Sequence, residues 1–198
     1  TTPLLAYLPD LVEEHLEEIQ FLWPIRERGL RSPRMTLRDI RNFDDRIDAH
    51  ADGALAPGDS ALRFLEPLLE ADDEMASFAA TFVLLRLGTT DARARVRSAF
   101  TEASGKRLSG IARALQMGAA DSLIEDIASA YASDDAMRCA LAAEALCYRT
   151  RWRRSHERLL ALLSNDDPIV KVSAWRSVAN LGLTVDSATY ATALRDDD

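Results

Sequence analysis

Apolar residues recur along this chain at the three- and four-residue spacing of a helix face, in segments broken by acidic or glycine-bearing turns. The clearest segment, Asn165 to Gly182, reads as a polar turn, an apolar stripe and a glycine stop. The turns Ala71-Asp72-Asp73-Glu74-Met75 and Ser133-Asp134-Asp135-Ala136-Met137 align with Asn165-Asp166-Asp167-Pro168-Ile169. Behind them come Ala80, Ala142 and Ala174, then Leu84, Leu146 and Val178, and Leu87-Gly88 matches Leu181-Gly182. Each copy follows a second amphipathic segment, Leu62 to Leu69, Ile124 to Tyr131 or Leu159 to Leu163, so the repeating unit is a helical hairpin of about thirty residues. Four hairpins are predicted: Ser60 to Gly88, a degenerate copy from Thr90 to Gly118, Ala120 to about Arg149, and Ser155 to Gly182.

The N-terminal stretch has the same period without the repeat. Pro9 suits a first helical turn, with Val12, Leu16, Ile19 and Trp23 as the inner stripe and Glu13, Glu14, Glu17 and Glu18 on the other side. Pro24 is expected to end or kink this helix, and Gly29 to Pro33 to form a loop. Thr36 and Asp39 form a capping-box pair for a second helix, with Leu37, Ile40, Phe43 and Ile47 buried and Gly53 placed for a left-handed cap. The whole predicts one all-α domain over 1–198, a HEAT-like right-handed α-solenoid of about four helical hairpins. Residues 1–58 are an N-terminal helical pair that caps it, 59–183 the repeats, and 184–198 a terminal helix and acidic tail.

Composition narrows the function. Hydrophobic content of 47% with 28% charged residues is that of an ordinary soluble protein of 198 residues. No apolar run approaches the roughly 20 residues of a membrane span. The acidic N-terminus does not read as a secretory signal, so a cytoplasmic location is expected. The formal net charge of −8 works against nucleic acid and anionic membranes as partners. Cys139 and Cys147 fall eight residues apart in one predicted helix, about 12 Å along its axis, too far for a disulfide.

A search for catalytic motifs is mostly negative. His156-Glu157-Arg158-Leu159-Leu160 has leucine where a zinc-protease helix needs its second histidine, and Gly105-Lys106 lacks the rest of a phosphate loop. Neither a cofactor nor a metal is expected, although a carboxylate-only enzyme stays open. Asp44, Asp48, His50 and Asp52 crowd one segment, but helical spacing spreads the three aspartates over about 12 Å. Between the last two hairpins, Arg149-Thr150-Arg151-Trp152-Arg153-Arg154-Ser155-His156 reads as a solvated loop whose arginines pair with acidic turns. It has a competing reading as a phosphate-contacting, base-stacking patch.

The run from His15 to Trp23 with Arg26, followed by Phe43 to Gly53, resembles the opening of an uncharacterised proteobacterial HEAT-repeat-like family often found beside type VI secretion genes. The resemblance covers roughly Val12 to Gly58 and assigns no catalytic residue. It implies a non-enzymatic binding module, most of all a cytoplasmic immunity protein that neutralises a secreted toxin, such as a nuclease with a basic cleft. The matching surface expected here is the carboxylate strip Glu14, Glu17, Glu18, Asp44, Asp45, Asp48 and Asp52. The alternatives are an effector chaperone, adaptor or scaffold, or a HEAT-like DNA glycosylase using Trp152, Trp175 and nearby arginines.

Overall fold

A computed structural model describes residues 4–149 and 155–195, with side chains from residue 9 onward. The chain is all-helical, with 11 α-helices and no strand among the described residues. It divides into two compact units, residues 1–119 and 120–198.

The first unit comprises α1 (Leu4–Leu30), α2 (Leu37–Ala54), α3 (Leu62–Glu70), α4 (Glu74–Leu87), α5 (Thr90–Glu102) and α6 (Gly105–Met117). Helix α4 is its centre: every residue from Ala76 to Leu85 is buried, because α1, α2, α3, α5 and α6 all pack against it. Phe78 carries the middle of this core, stacked on Trp23 of α1 at 3.9 Å between ring centroids and on Phe82 at 5.7 Å. Helix α6 approaches most closely at Gly110, where a Cβ would collide with the Glu74 carbonyl and the Ser77 hydroxyl. Only glycine permits that approach.

The second unit comprises α7 (Ile124–Tyr131), α8 (Ala136–Tyr148), α9 (Glu157–Ala161), α10 (Pro168–Leu181) and α11 (Ser187–Ala193). Helix α8 packs against α7 and α10, and Cys139 to Ala145 are buried. Tyr131 closes the α7 end by donating its hydroxyl to the Ser155 carbonyl at 3.0 Å, and the Cys139 thiol donates to the Tyr131 carbonyl at 3.1 Å. The cysteines are free, and burial raises the Cys147 thiol to about 11.

The helix pairs α3/α4, α5/α6, α7/α8 and α9/α10 fall within the four predicted hairpins and are in contact. The repeat signature proves to be capping chemistry. Asp73 accepts from the Met75 and Ala76 amides at 2.9 and 2.8 Å, and Asp167 from Ile169 at 2.8 Å. Gly88 and Gly182 stop α4 and α10 with φ of 65° and 63°.

Several local expectations are corrected. Pro24 does not end the first helix: α1 continues to Leu30, and it begins ahead of Pro9. Burial of Leu22 and Trp23, the two residues just before the missing amide, offsets a defect of about 3 kcal/mol. Gly53 is not a left-handed cap but lies inside α2, where its missing Cβ makes room for the His15 ring, and Gly58 takes the positive φ of 63°. Leu37 is not in the buried stripe; it is 84% exposed. The Leu159 to Leu163 segment is a single short helix followed by a 3₁₀ turn, Leu162–Ser164.

Candidate functional site

The acidic strip is set by two helices packed side by side. In α1 the stripe Val12, Leu16, Ile19 and Trp23 is buried, which turns Glu14, Glu17 and Phe21 outward. In α2 the buried Ile40, Ile47, Ala51 and Ala54 fix the inner face. The predicted capping box forms, with the Thr36 amide donating to Asp39 at 2.8 Å and the Asp39 amide to the Thr36 hydroxyl at 3.3 Å. The Thr36 amide, and the Thr36 hydroxyl donating to the same carboxylate at 2.7 Å, stabilise the ionised Asp39 carboxyl and lower its pKa.

The seven strip carboxylates do not form one uniform face. Asp44 accepts from Arg26 Nε at 2.8 Å, and the same guanidinium reaches Glu27 at 2.7 Å and lies over the Trp23 ring. Asp48 and Asp52 both receive Arg86 of α4: Nη1 donates to Asp48 at 2.9 Å, while Nη2 donates to Asp52 Oδ2 at 2.8 Å. This hydrogen-bonded clasp lowers the Asp52 pKa. Glu18 lies 3.6 Å from Arg46. Glu14, Glu17 and Asp45 make no ion pair among the described residues, and Phe21, 60% exposed, stands beside the two glutamates on α1.

A cleft of about 580 Å³ opens on this side, lined by Glu14, His15, Glu17, Glu18, Arg46 and His50. At its base the Nδ1 atoms of His15 and His50 are 3.0 Å apart, with the rings edge to face. Two Nδ1 atoms in hydrogen-bond contact require one donor and one acceptor, so both imidazoles cannot be cationic while the contact persists. Burial lowers the His50 pKa, and the neighbouring His15 and Arg46 lower it further against the opposing pull of Glu18. Among the described residues no group of three or more His, Cys, Asp or Glu side chains is placed to hold a metal ion.

The second unit holds the residues of the competing nucleic-acid reading. Arg151, Trp152, Arg153 and Arg154 lie outside the described residues. Arg149 pairs with Asp121 at 3.1 Å, and Arg158 with Asp134 at 3.8 Å. Trp175 is half-buried with its ring edge-on to Tyr190 at 5.9 Å. Glu144 is buried, 3.5 Å from Arg176.

Three features escape a reading of the sequence alone: the Arg86 clasp, the His15–His50 contact and the outward Phe21. The clasp and the histidine contact join positions 34 to 38 and 35 residues apart, so neither leaves a local signal. Phe21 was findable, since its helical angle falls with Glu14 and Glu17 rather than with Leu16 and Trp23. No helix among the described residues is long and apolar enough to cross a membrane. Comparison with protein-family models, with curated proteins and with solved structures returns no match for this chain.

Proposed function

We propose that this chain is a non-enzymatic protein-binding module whose partner carries a basic surface, and that its docking face is the outer side of α1. The observation that carries this reading is the arrangement of Glu14 and Glu17 beside Phe21. Two carboxylates without an arginine of their own flank an exposed ring, so a partner's cations can pair at the rim while the ring fills an apolar pocket. The other strip residues divide into Asp45, which extends the face, and Asp44, Asp48, Asp52 and Glu18, whose charge is answered within the fold. In this reading the hairpins stack as a HEAT-like solenoid, and the resemblance over residues 12–58 supports a cytoplasmic immunity protein for a type VI secretion toxin. An effector chaperone would use the same surface.

The test is affinity purification of the tagged protein from its host, with mass spectrometry of what stays bound. Recovery of one stoichiometric toxin-like protein supports the reading, and rescue of cells expressing that toxin separates immunity from chaperoning. Glu14→Lys with Glu17→Lys is expected to slow association and weaken the recovered complex about tenfold at low salt, because like charges are then juxtaposed at the rim. Unchanged affinity excludes this face.

A further inference from the structure

The turn that joins α1 to α2 carries charge of the opposite sign. Residues 28–41 contain Arg28, Arg31, Arg34, Arg38 and Arg41 against the single carboxylate Asp39, in a chain of net charge −8. All five arginines are exposed, and none makes an ion pair among the described residues. Asp39, held ionised by the Thr36 amide and hydroxyl at 2.8 and 2.7 Å, offsets one of these charges, mainly that of the adjacent Arg38, and leaves the arginines in clear excess.

Two local rules are broken in the same place. Leu37 opens α2 with its side chain in water, and Leu30 and Met35 are also exposed. Arg38 sits in the first turn of α2, where a positive charge opposes the helix dipole. The backbone is nonetheless well ordered by its own bonds, Ser32 to the Gly29 carbonyl at 3.0 Å and Met35 to the Ser32 carbonyl at 3.3 Å. Beside the turn lies a cleft of about 410 Å³ with Met35 and half-buried Phe43 as its apolar lining and Arg34, Arg46, Asn42 and the Thr36-bonded Asp39 as its polar residues. Breaches of local consistency concentrated in one ordered turn mark a surface shaped for a ligand.

We infer that this turn is a second docking site, which takes an acidic segment of a partner protein presenting an apolar anchor to the Met35–Phe43 cleft. The arginines would pair with carboxylates on either side of that anchor, and Leu37 and Leu30 would be covered by it. Arginine and methionine around an apolar centre are the composition of a protein interface. The cleft holds one aromatic ring, the half-buried Phe43, and no row of exposed rings on which successive bases could stack, so single-stranded nucleic acid fits it poorly. A cleft accepts a side chain, whereas a flat lipid surface makes no use of it. The site is separate from the outer face of α1 and does not depend on that assignment; together they give one unit two docking surfaces of opposite charge.

The experiment is fluorescence anisotropy of the full chain with a labelled helical peptide of alternating Glu-Glu and Leu-Leu pairs. Its controls are the same peptide with glutamine for glutamate, a polyglutamate, a DNA duplex and phosphatidylserine vesicles. Saturable binding to the acidic amphipathic peptide at 50 mM salt is expected, at least tenfold tighter than to either control peptide. Reversal by Arg34→Glu with Arg38→Glu is expected to weaken it tenfold or more, Leu37→Ser about fivefold, and Glu14→Lys with Glu17→Lys not at all. All these side chains are exposed, and circular dichroism checks that each variant folds. Absence of binding overturns the inference, as does equal loss in the Glu14→Lys, Glu17→Lys variant. Equal or tighter binding to the duplex or the vesicles overturns it by assigning the turn to phosphate.

Discussion

Helices α4 and α10 carry the same repeat signature and end up in opposite circumstances. Both begin on an aspartate cap, both place an alanine at the matched position, Ala80 and Ala174, and both stop at a left-handed glycine. Yet α4 is buried without interruption from Ala76 to Leu85, whereas α10 buries only Val170, Ser173, Ala174, Ser177 and Val178. Phe78 of α4 is fully buried beneath Trp23; the matched Val172 of α10 is 44% exposed. The signature therefore specifies a helix with two capped ends and one face. What covers the second face is decided by neighbours elsewhere in the chain: α1 and α6 pack on α4, while α8 is the long helix packed on α10 within its unit.

That contrast orders the expected effects of substitution. Phe78→Ala should cost about 3–5 kcal/mol, and Val172→Ala under about 1 kcal/mol, read from urea midpoints. Equal losses would mean that α10 is covered in solution. Gly110→Ala should cost about 1–3 kcal/mol, because the added methyl meets a backbone carbonyl of α4 rather than a flexible side chain. Hydrogen exchange should localise that loss to α4 and α6. Asp73→Ala and Asp167→Ala should each cost about 1 kcal/mol, since both side chains accept from the amide two residues on. A silent Asp167→Ala would show that the signature matters only where the helix is central.

The smallest effect is a pH dependence confined to the first unit. Because the folded His50 pKa lies below that of the unfolded chain, the unfolded state binds more protons in the window between them. Stability is fully present above the usual histidine range and falls as pH drops through the folded value. Hydrogen exchange at pH 7.5 and 5.0 should show protection lost in α1 and α2, with α8 and α10 unchanged. Replacing His50 with phenylalanine should remove the difference. An identical pH response in that variant would assign the effect to other groups.

The hairpins and their caps were legible in the sequence because they are local: an aspartate, an apolar stripe at helical spacing and a glycine stop lie within about twenty residues. The acidic outer side of α1 was legible for the same reason. What periodicity could not supply was the partner of each face. Leu37 belongs by spacing to the stripe of Ile40 and Ile47, but at the first position of α2 no neighbouring element among the described residues covers it. Gly53 looked like a stop and instead receives a histidine from another helix. Asp44, Asp48 and Asp52 read as open charge until Arg26 and Arg86 were brought to them across 18 to 38 residues of chain. Pro24 signalled a break that the burial of Leu22 and Trp23 overrides.

The stacking of Trp23 on Phe78 also dictates an order of events during synthesis. Helix α1 leaves the ribosome before α4, with Pro9 and Pro24 each removing one of its internal hydrogen bonds. The ring that stacks on Trp23 emerges some 55 residues later, a delay of about 3–11 seconds at roughly 5–20 residues per second. For that interval α2 can already pack on α1, but Trp23 lacks the Phe78 ring that stacks on it, and the nascent chain presents the Trp23 ring to a ribosome-associated chaperone. Arrest of translation between α2 and α4 should therefore leave Trp23 with the fluorescence of a solvated indole, and release past Phe82 should bury it in a single step.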